Sequence, residues 1–481
     1  MTPQPSAVVI LAAGEGTRMK SSTPKVLHEI CGRSLVGHVV ASAQSVAAER
    51  IVVVVGHAKE QVERHLAELS PDIVTAVQSE QNGTGHAVRM ALRQLAEQDI
   101  TPTGGPVLVA AGDAPLLGGE VLELLLAEHA TRGAAVTVLS AVLPDPTGYG
   151  RVVRKADDSV SAIVEHRDAD DNVLGIDEVN SGTYAFDPEF LADAIERLST
   201  DNSQGEEYLT DLVGLARQDG LPVAGVAAPD PNDIMGVNNR VQLAEAAAVL
   251  RDRINRNWML AGVTIADPAN TYVDVDVELE PDVTLLPGTY LQGATAVASG
   301  AVIGPDTTLI DTEVSAGARV DRAHCLLAQI GTDAEVGPFT RLRPGTDLAA
   351  GAKAGSFVEI KNSHIGPGAK VPHLSYVGDA DVGAGSNIGA ATVVVNYDGV
   401  AKHRTVVGEQ VRIGSDTMLV APVEVGDGAY TAAGSVITED VPAGALAIAR
   451  GRQRNIAGWV ETNRAGSASA EAVAGHEEGD Q

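Results

Sequence analysis

Aromatic side chains make up only 3% of this 481-residue chain. Its cores cannot be built around rings and must be filled by Val, Ile, Leu and Ala, which suit stacked strands and close backbone packing. Cysteine is almost absent: Cys31 and Cys325 stand far apart with no metal-ligand spacing. That excludes a disulfide framework, gives no zinc site and fits a reducing, cytoplasmic setting. Basic residues are also scarce, 34 Lys and Arg against 64 Asp and Glu, for a formal charge of -30. A surface of that sign repels a phosphate backbone or an anionic bilayer, so neither nucleic acid nor a membrane is an expected partner. A small anion is not excluded, because backbone amides and one or two basic side chains set the local potential. No apolar run approaches the roughly 20 residues that span a bilayer. The first six residues lack a basic cluster, and the apolar run that follows is short and ends at Gly14, as a buried strand does.

What is present is a change of rhythm along the chain. Up to about residue 230, apolar runs at 7–13, Ile51–Val55, Val107–Ala111 and 135–142 alternate with stretches such as 85–98 and 120–132 that carry apolar residues at three and four spacing. This predicts strands joined by crossover helices on a mainly parallel sheet, with a ligand beyond the carboxyl ends of the strands. Within 239–261, Leu243, Ala247, Leu250, Ile254 and Trp258 form one stripe and Gly262 follows, which predicts a single linking helix.

From about Ile303 an aliphatic residue, often followed by a small one, recurs every six positions with occasional five-residue slips. The series runs through Ile330, Val336, Leu342, Leu348, Ala354, Ile360, Ile365, Val371, Val377, Val382 and Ile388, then Val407, Ile413, Leu419, Val425, Thr431 and Ile437. So short a period predicts single strands and turns stacked into a parallel β-helix with the aliphatic residue inward. The polar stretch 396–404 breaks the register and is expected as a loop ejected from the solenoid, a common place for function. From Ala465 onward the chain is rich in Ala, Ser, Gly and Glu without a period, and no order is expected there. The expected organisation is an α/β domain over 1–238, a linking helix over 239–262, a β-helix over 263–464 and a disordered tail over 465–481.

Directly after the first strand comes Leu11-Ala12-Ala13-Gly14-Glu15-Gly16-Thr17-Arg18-Met19. Glycines let a backbone approach phosphates, but the Walker lysine is missing and Met19 stands where a dinucleotide fingerprint has its third glycine. Pro24-Lys25 follows, then Gln78, Gln81-Asn82-Gly83-Thr84-Gly85-His86, Gly112-Asp113, Gly148-Tyr149-Gly150, Ile163-Val164-Glu165, Asn180-Ser181-Gly182 and Gly236-Val237-Asn238-Asn239. The ordered set resembles the sugar-phosphate nucleotidyltransferases. Their reaction sends a sugar 1-phosphate oxygen to the α-phosphorus of a nucleoside triphosphate, with cations neutralising developing charge. Arg18 and Lys25 suit the phosphates, and Asp113 suits Mg2+, a hard cation that prefers oxygen. The resemblance adds Asn238 as second metal ligand. It further implies that Leu11, Ala12, Ala13, Gly14, Gln78, Gly83 and Thr84 hold the uracil and ribose end, and that Gly150, Glu165 and Asn180 hold the amino sugar. Ala111 departs from relatives, which often have Tyr there.

Hexapeptide β-helices resemble a group of acyltransferases that hold acyl-CoA between coils of neighbouring subunits, although the repeat alone equally fits a scaffold. The motif Lys370-Val371-Pro372-His373-Leu374-Ser375-Tyr376 decides for chemistry. An amine attacks only when neutral, so N-acetylation needs a base near pH 7, and the unperturbed pKa of His suits that task. Together with Arg341-Leu342-Arg343-Pro344, Phe357-Val358-Glu359-Ile360-Lys361 and Asn396-Tyr397-Asp398-Gly399, both halves resemble the bacterial bifunctional GlmU family over residues 7 to about 460. That family pairs an N-acetylglucosamine-1-phosphate uridyltransferase with a glucosamine-1-phosphate N-acetyltransferase.

The resemblance implies an α/β chain whose N-terminal Rossmann-like nucleotidyltransferase domain is joined by the linking helix to a left-handed parallel β-helix. It implies catalytic roles for His373, Lys25 and Arg18, and sugar-phosphate contacts from Arg343, Lys361, Tyr376 and Asn387. It places acetyl-CoA contacts at Ala390, Asn396, Tyr397, Ser415, Ala433 and Arg450. Glucosamine 1-phosphate, acetyl-CoA, UTP and Mg2+ are the implied small-molecule partners, UDP-N-acetylglucosamine the product, and a homotrimer the assembly. Ala391 and Val395 depart from relatives that have Gly and Cys, and neither position supplies an acid, base or phosphate ligand.

Overall fold

The structure, a computed structural model, describes residues 3–479. The first two residues of the N-terminal stretch and the last two of the tail lie outside the described residues. The chain divides into two compact units, Met1–Ala296 and Val297–Gln481.

In the first unit the apolar runs become the middle of a nine-stranded sheet. Its strands are β1 (Ala7–Leu11), β2 (Ile51–Val55), β3 (Val74–Val77), β4 (Val107–Ala111), β5 (Val136–Val142), β6 (Arg151–Arg154), β7 (Val160–Val164), β8 (Glu178–Phe186) and β9 (Val223–Ala227). The order is β9-β5-β8-β4-β1-β2-β3, with β6 pairing β8 and β7 to the side. The pairs β1/β2, β1/β4, β2/β3 and β9/β5 are parallel, while β8 runs antiparallel to both β4 and β5. Side chains alternate between two buried faces: Val9, Val52 and Val54 point into one core, Val8, Ile10 and Val53 into the other. Helices at Thr84–Glu97 and Gly119–Arg132 occupy the expected crossover positions. Because β1 has β2 on one side and β4 on the other, the chain leaves their carboxyl ends in opposite directions, and this opens a crevice.

The linking helix runs over Arg240–Leu260, its first amides held by the Asn239 side chain, which accepts from Val241 N and Gln242 N. Leu243, Ala247 and Leu250 of the expected stripe pack against Ile30, Leu35 and Leu116. Asn255, outside that stripe, is the wholly buried polar residue of the helix and donates to the carbonyls of Pro268 and Thr271, each at 3.0 Å. The compact unit extends past the helix to Ala296 because the hairpin at Cys31 grips the first coil. Val275 N donates to Cys31 O at 3.0 Å, and Arg33 pairs with Asp276 at 2.5 Å.

The second unit consists of short parallel strands stacked in three ladders. One contains Glu335–Val336, Lys353–Ser356 and Lys370–His373; the next Thr340–Leu342, Glu359–Lys361 and Tyr376–Gly378; the third Thr346–Leu348, His364–Ile365 and Ala380–Val382. Every aliphatic position of the repeat from Ile330 to Ile437 is buried, as is Thr431. Threonine and serine fill many corners, where their hydroxyls satisfy turn carbonyls: Thr346 Oγ1 donates to Arg343 O and Ser375 Oγ to His373 O, each at 2.7 Å. The stretch 396–404 does leave the solenoid, closed by His403 N donating to Asn396 O at 2.8 Å. In the tail, residues Ala468–Gly479 form a helix where none was expected. Alanine and glutamate favour a helix even without an apolar stripe. No helix among the described residues is long and apolar enough to cross a membrane.

Candidate active sites

The crevice at the ends of β1 and β4 gathers the phosphate-binding candidates. Gly16 adopts a left-handed φ of 64°, and a Cβ there would stand 2.5 Å from Lys25 Cβ, so glycine lets the Lys25 stem pass behind the turn. The Lys25 ammonium is ion-paired with Asp113, two residues beyond β4, and donates to Asn238 Oδ1 at 3.3 Å. Arg18 donates to the same oxygen at 2.9 Å. Val237 N donates to Asp113 O at 2.8 Å, which holds residue 238 beside the aspartate. Four residues from separate stretches of chain thus converge, two cations and two oxygen donors.

Beside them lies a cleft of about 200 Å³ lined by Leu11, Ala13, Gly14, Gln78, Gly83 and Thr84, together with Gln81, Ala87 and Glu206. Gln78 is buried and donates to Gly83 O at 3.0 Å, and Gln81 donates to Ala13 O at 3.1 Å. A larger cleft of about 910 Å³ opens near Arg50, Asp72 and Gln98, but none of the candidate residues lines it.

Gly150, Glu165 and Asn180 form a third group. Asn180 N donates to Gly150 O at 2.9 Å, and a Cβ at 150 would stand 3.4 Å from the Glu165 carboxylate. Asn180 sits where the β8 register shifts, and its side-chain amide donates to Tyr184 Oη at 2.7 Å. Burial pushes the Glu165 carboxyl above its usual range; the nearby Asp168 and Asp211 add to this and a hydrogen bond from Thr210 opposes it.

In the second unit the strongest pattern is a corner column. Ala391 N donates to His373 O, Asp416 N to Ala390 O and Gly434 N to Ser415 O. His373, Ala390, Ser415 and Ala433 therefore occupy equivalent places on consecutive coils, with the Arg450 side chain alongside Gly434. Gly389 and Gly414 keep the coils close: a Cβ on either would lie 2.5 Å from the next coil's backbone. His373 itself is exposed.

On the adjoining ladder Arg343 pairs with Glu359 at 2.9 Å and Lys361 with Asp379 at 3.5 Å. Gly378 has no side chain, so Tyr376 Oη and the Asn396 amide reach over it. Asn396 donates to the Asp379 carboxylate and, at 3.5 Å, to Tyr376 Oη. Burial raises the Asp379 pKa, but hydrogen bonds from Asn362 and Asn396 and the Lys361 charge outweigh it and hold the carboxyl below its usual range. The structure therefore puts Asn396 with the sugar-phosphate candidates, and leaves Tyr397 exposed on the loop. Asn387 bridges Lys370 and Arg412 on a different ladder from Arg343, Lys361 and Tyr376.

Two participants were not singled out from sequence. Asp379 lies three residues past the motif 370–376, and no role was expected for it. Lys402 lies in the ejected loop, and the adjacent Lys361 holds it below the ordinary lysine range, with the Arg343 charge adding. A lysine between Ala401 and His403 carries no local signal; only the loop's return path brings it to the cluster.

Fold and sites together define a two-site transferase, a nucleotidyltransferase followed in the same chain by a hexapeptide-repeat acetyltransferase. Residues 8–173 match the MobA-like NTP transferase domain, and residues 404–439 match the bacterial transferase hexapeptide (six repeats). The bifunctional protein GlmU of Streptomyces avermitilis is 60% identical over 471 residues, 98% of this chain and 97% of that protein. Those of Streptomyces coelicolor and Thermobifida fusca are 59% and 57% identical over 471 and 470 residues, with the same shares covered. The chain belongs to the bifunctional GlmU family. It is an acetyltransferase and a uridyltransferase that makes UDP-N-acetylglucosamine.

Proposed function

We propose that residues 1–238 carry uridyl transfer, residues 239–262 link, and residues 263–464 carry acetyl transfer, with the amino sugar acetylated first. In acetyl transfer the amine of glucosamine 1-phosphate attacks the acetyl carbonyl of acetyl-CoA, His373 takes the amine proton, and the CoA thiol leaves. Arg343, Lys361 and Tyr376, joined by Lys402, hold the sugar phosphate. Ala390, Ser415, Ala433 and Arg450 take the coenzyme, and Asn396 and Tyr397 border both ligands. The observation that carries this half is the column His373, Ala390, Ser415, Ala433, because an extended thioester ligand needs contacts repeated along one line beside its base.

In uridyl transfer an oxygen of N-acetylglucosamine 1-phosphate attacks the α-phosphorus of UTP and pyrophosphate leaves. Gln78, Gly83 and Thr84 hold the base, Gly150, Glu165 and Asn180 hold the sugar, and Arg18 and Lys25 neutralise the phosphates. The residues fit Mg2+: the Asp113 carboxylate and the Asn238 carbonyl oxygen already share one cation, the Lys25 ammonium. Gly236 leaves the space beside them clear, since even a Cβ there would be 3.8 Å from Asp113 Oδ1. Bound between those oxygens, Mg2+ would offset the charge that builds on the triphosphate.

The separation of Asn387 from the other sugar-phosphate candidates supports a site completed by a second subunit, and hence a homotrimer; light scattering at the mass of one chain contradicts it. A reducing cytoplasm suits the two free thiols.

The test follows free CoA thiol and pyrophosphate separately in wild type, Asp113→Ala and His373→Ala. Asp113→Ala should lose pyrophosphate release and keep thiol release. His373→Ala should do the reverse when N-acetylglucosamine 1-phosphate is supplied. Loss of both activities in a folded single variant contradicts the division.

A further inference from the structure

Between Asn202 and the helix Asp211–Gln218 the chain crosses the front of the uridyl-transfer crevice as a strap, residues 206–210, for which no role has yet been assigned. One end is stitched to the base loop. Gly85 N donates to Glu207 O, and Glu207 N donates to Asn82 O, both at 2.8 Å, so the two stretches exchange a reciprocal pair of backbone hydrogen bonds. Leu209 N donates to Thr84 Oγ1 at 3.0 Å. Gly83 approaches so closely that a Cβ there would stand 2.4 Å from Glu207 O, and its φ of 103° is one that glycine alone adopts readily.

A clasp closes over this stitching. The carboxylate of Glu207 is ion-paired with Arg89, which lies one turn into the helix that begins at Thr84. The two side chains are only 15% and 13% exposed. At that burial the geometry is held more firmly than in a solvated surface pair. The other end of the strap meets the sugar residues, because buried Thr210 donates to Glu165 Oε1 at 3.5 Å. Glu206, the first residue of the strap, lines the base cleft, whereas Glu207 does not.

We propose that this strap sets the base pocket and the sugar pocket as one unit, with Arg89–Glu207 as its clasp, so that filling either pocket strengthens binding in the other. The inference rests on the reading of those pockets given above. Arg89, Glu207 and Thr210 are positioning residues: they hold Asn82, Gly83, Thr84 and Glu165 and do not touch the reacting phosphates. Since the coupling is an equilibrium quantity it is reciprocal, and UTP and sugar phosphate change each other's affinity by the same factor.

The test uses the full-length enzyme, with acetyl transfer as an internal control of folding. KM for UTP is measured at low and at saturating N-acetylglucosamine 1-phosphate, and KM for the sugar phosphate at low and saturating UTP. Glu207→Gln loosens the base end and should raise KM for the sugar phosphate about tenfold. Thr210→Val loosens the sugar end and should raise KM for UTP. In both variants the dependence of each KM on the other substrate should shrink, with kcat at saturation changed far less than KM. The double variant Arg89→Glu with Glu207→Arg should regain part of the coupling.

If each variant moves only the KM of its own pocket, the strap is two separate supports and the proposal fails. It fails equally if wild type shows no mutual dependence. Gln78→Ala and Glu165→Gln separate this from the underlying reading: if these leave both KM values unchanged, the pockets themselves are wrongly assigned.

Discussion

Glu165 and Lys402 illustrate how a charged side chain takes its properties from its surroundings. Burial raises the Glu165 pKa, so the folded state holds that proton more tightly than the unfolded chain does. Any stability from this group is present at low pH and is lost as pH rises through the raised value. Replacing Glu165 by Gln should therefore raise the thermal midpoint at pH 8 relative to wild type, with the difference vanishing in acid, while uridyl transfer weakens through a higher KM for the sugar phosphate. Thermal melts across pH with matched kinetics check both. Lys402 is crowded by Lys361 and Arg343, a positive cluster relieved when a phosphate binds. Lys402→Ala should raise KM for glucosamine 1-phosphate about tenfold, as loss of one charge-assisted hydrogen bond does, and leave KM for acetyl-CoA unchanged. Arg343 and Lys361 were legible in the sequence because they sit in motifs; Lys402 was not, because its role depends on where an irregular loop returns.

At the scale of elements, the six-residue period was enough to assign a run of inward positions between Ile330 and Ile437, all of them buried, since a side chain that must fit a narrow solenoid recurs in register; buried Val394, just before the 396–404 insertion, was passed over. The corner column was not legible, because the five-residue slips and the 396–404 insertion obscure which residues of successive coils lie over one another. Its close packing is testable. A Cβ on Gly414 would come within 2.5 Å of Thr431 O, so Gly414→Ala should cost about 1–3 kcal/mol and depress acetylation more than uridylation, read by melting and by the two separate assays. In the first unit two helices bury histidines. His38 in Leu35–Ser45 contacts Ile30 O at 3.0 Å, and His129 in Gly119–Arg132 contacts Thr137 Oγ1 at 3.0 Å. Burial lowers both pKa values from 6.5. The unfolded state then binds protons first, so this contribution is present above about pH 6.5 and falls away as pH drops below it through the lowered folded values. His129→Gln should flatten the decline of the first unit's melting temperature between pH 7 and 5.5.

For the whole molecule, the chain forms two compact units, and under the division of labour proposed above single substitutions are expected to remove the two activities one at a time. Composition and period determined the fold class, and the order of the motifs, through the family they resemble, determined the two kinds of chemistry and the candidate residues for them. These properties are local: a glycine turn after a buried strand, a histidine in mid-solenoid and an aliphatic residue every six positions each bear their signature within a few residues. Tertiary structure decided which of them meet. It brought Asn238 to Asp113 across more than a hundred intervening residues, set Asn396 against Asp379 and Tyr376, put Asn387 on a different ladder from Arg343, Lys361 and Tyr376, extended the first unit to Ala296 and tied residues 206–210 to Asn82, Thr84 and Glu165. The physical reason is that each of these is a contact between residues distant in sequence, made by backbone hydrogen bonds and register rather than by residue type. No local pattern encodes such a contact until the sheet and the coils have set their neighbours.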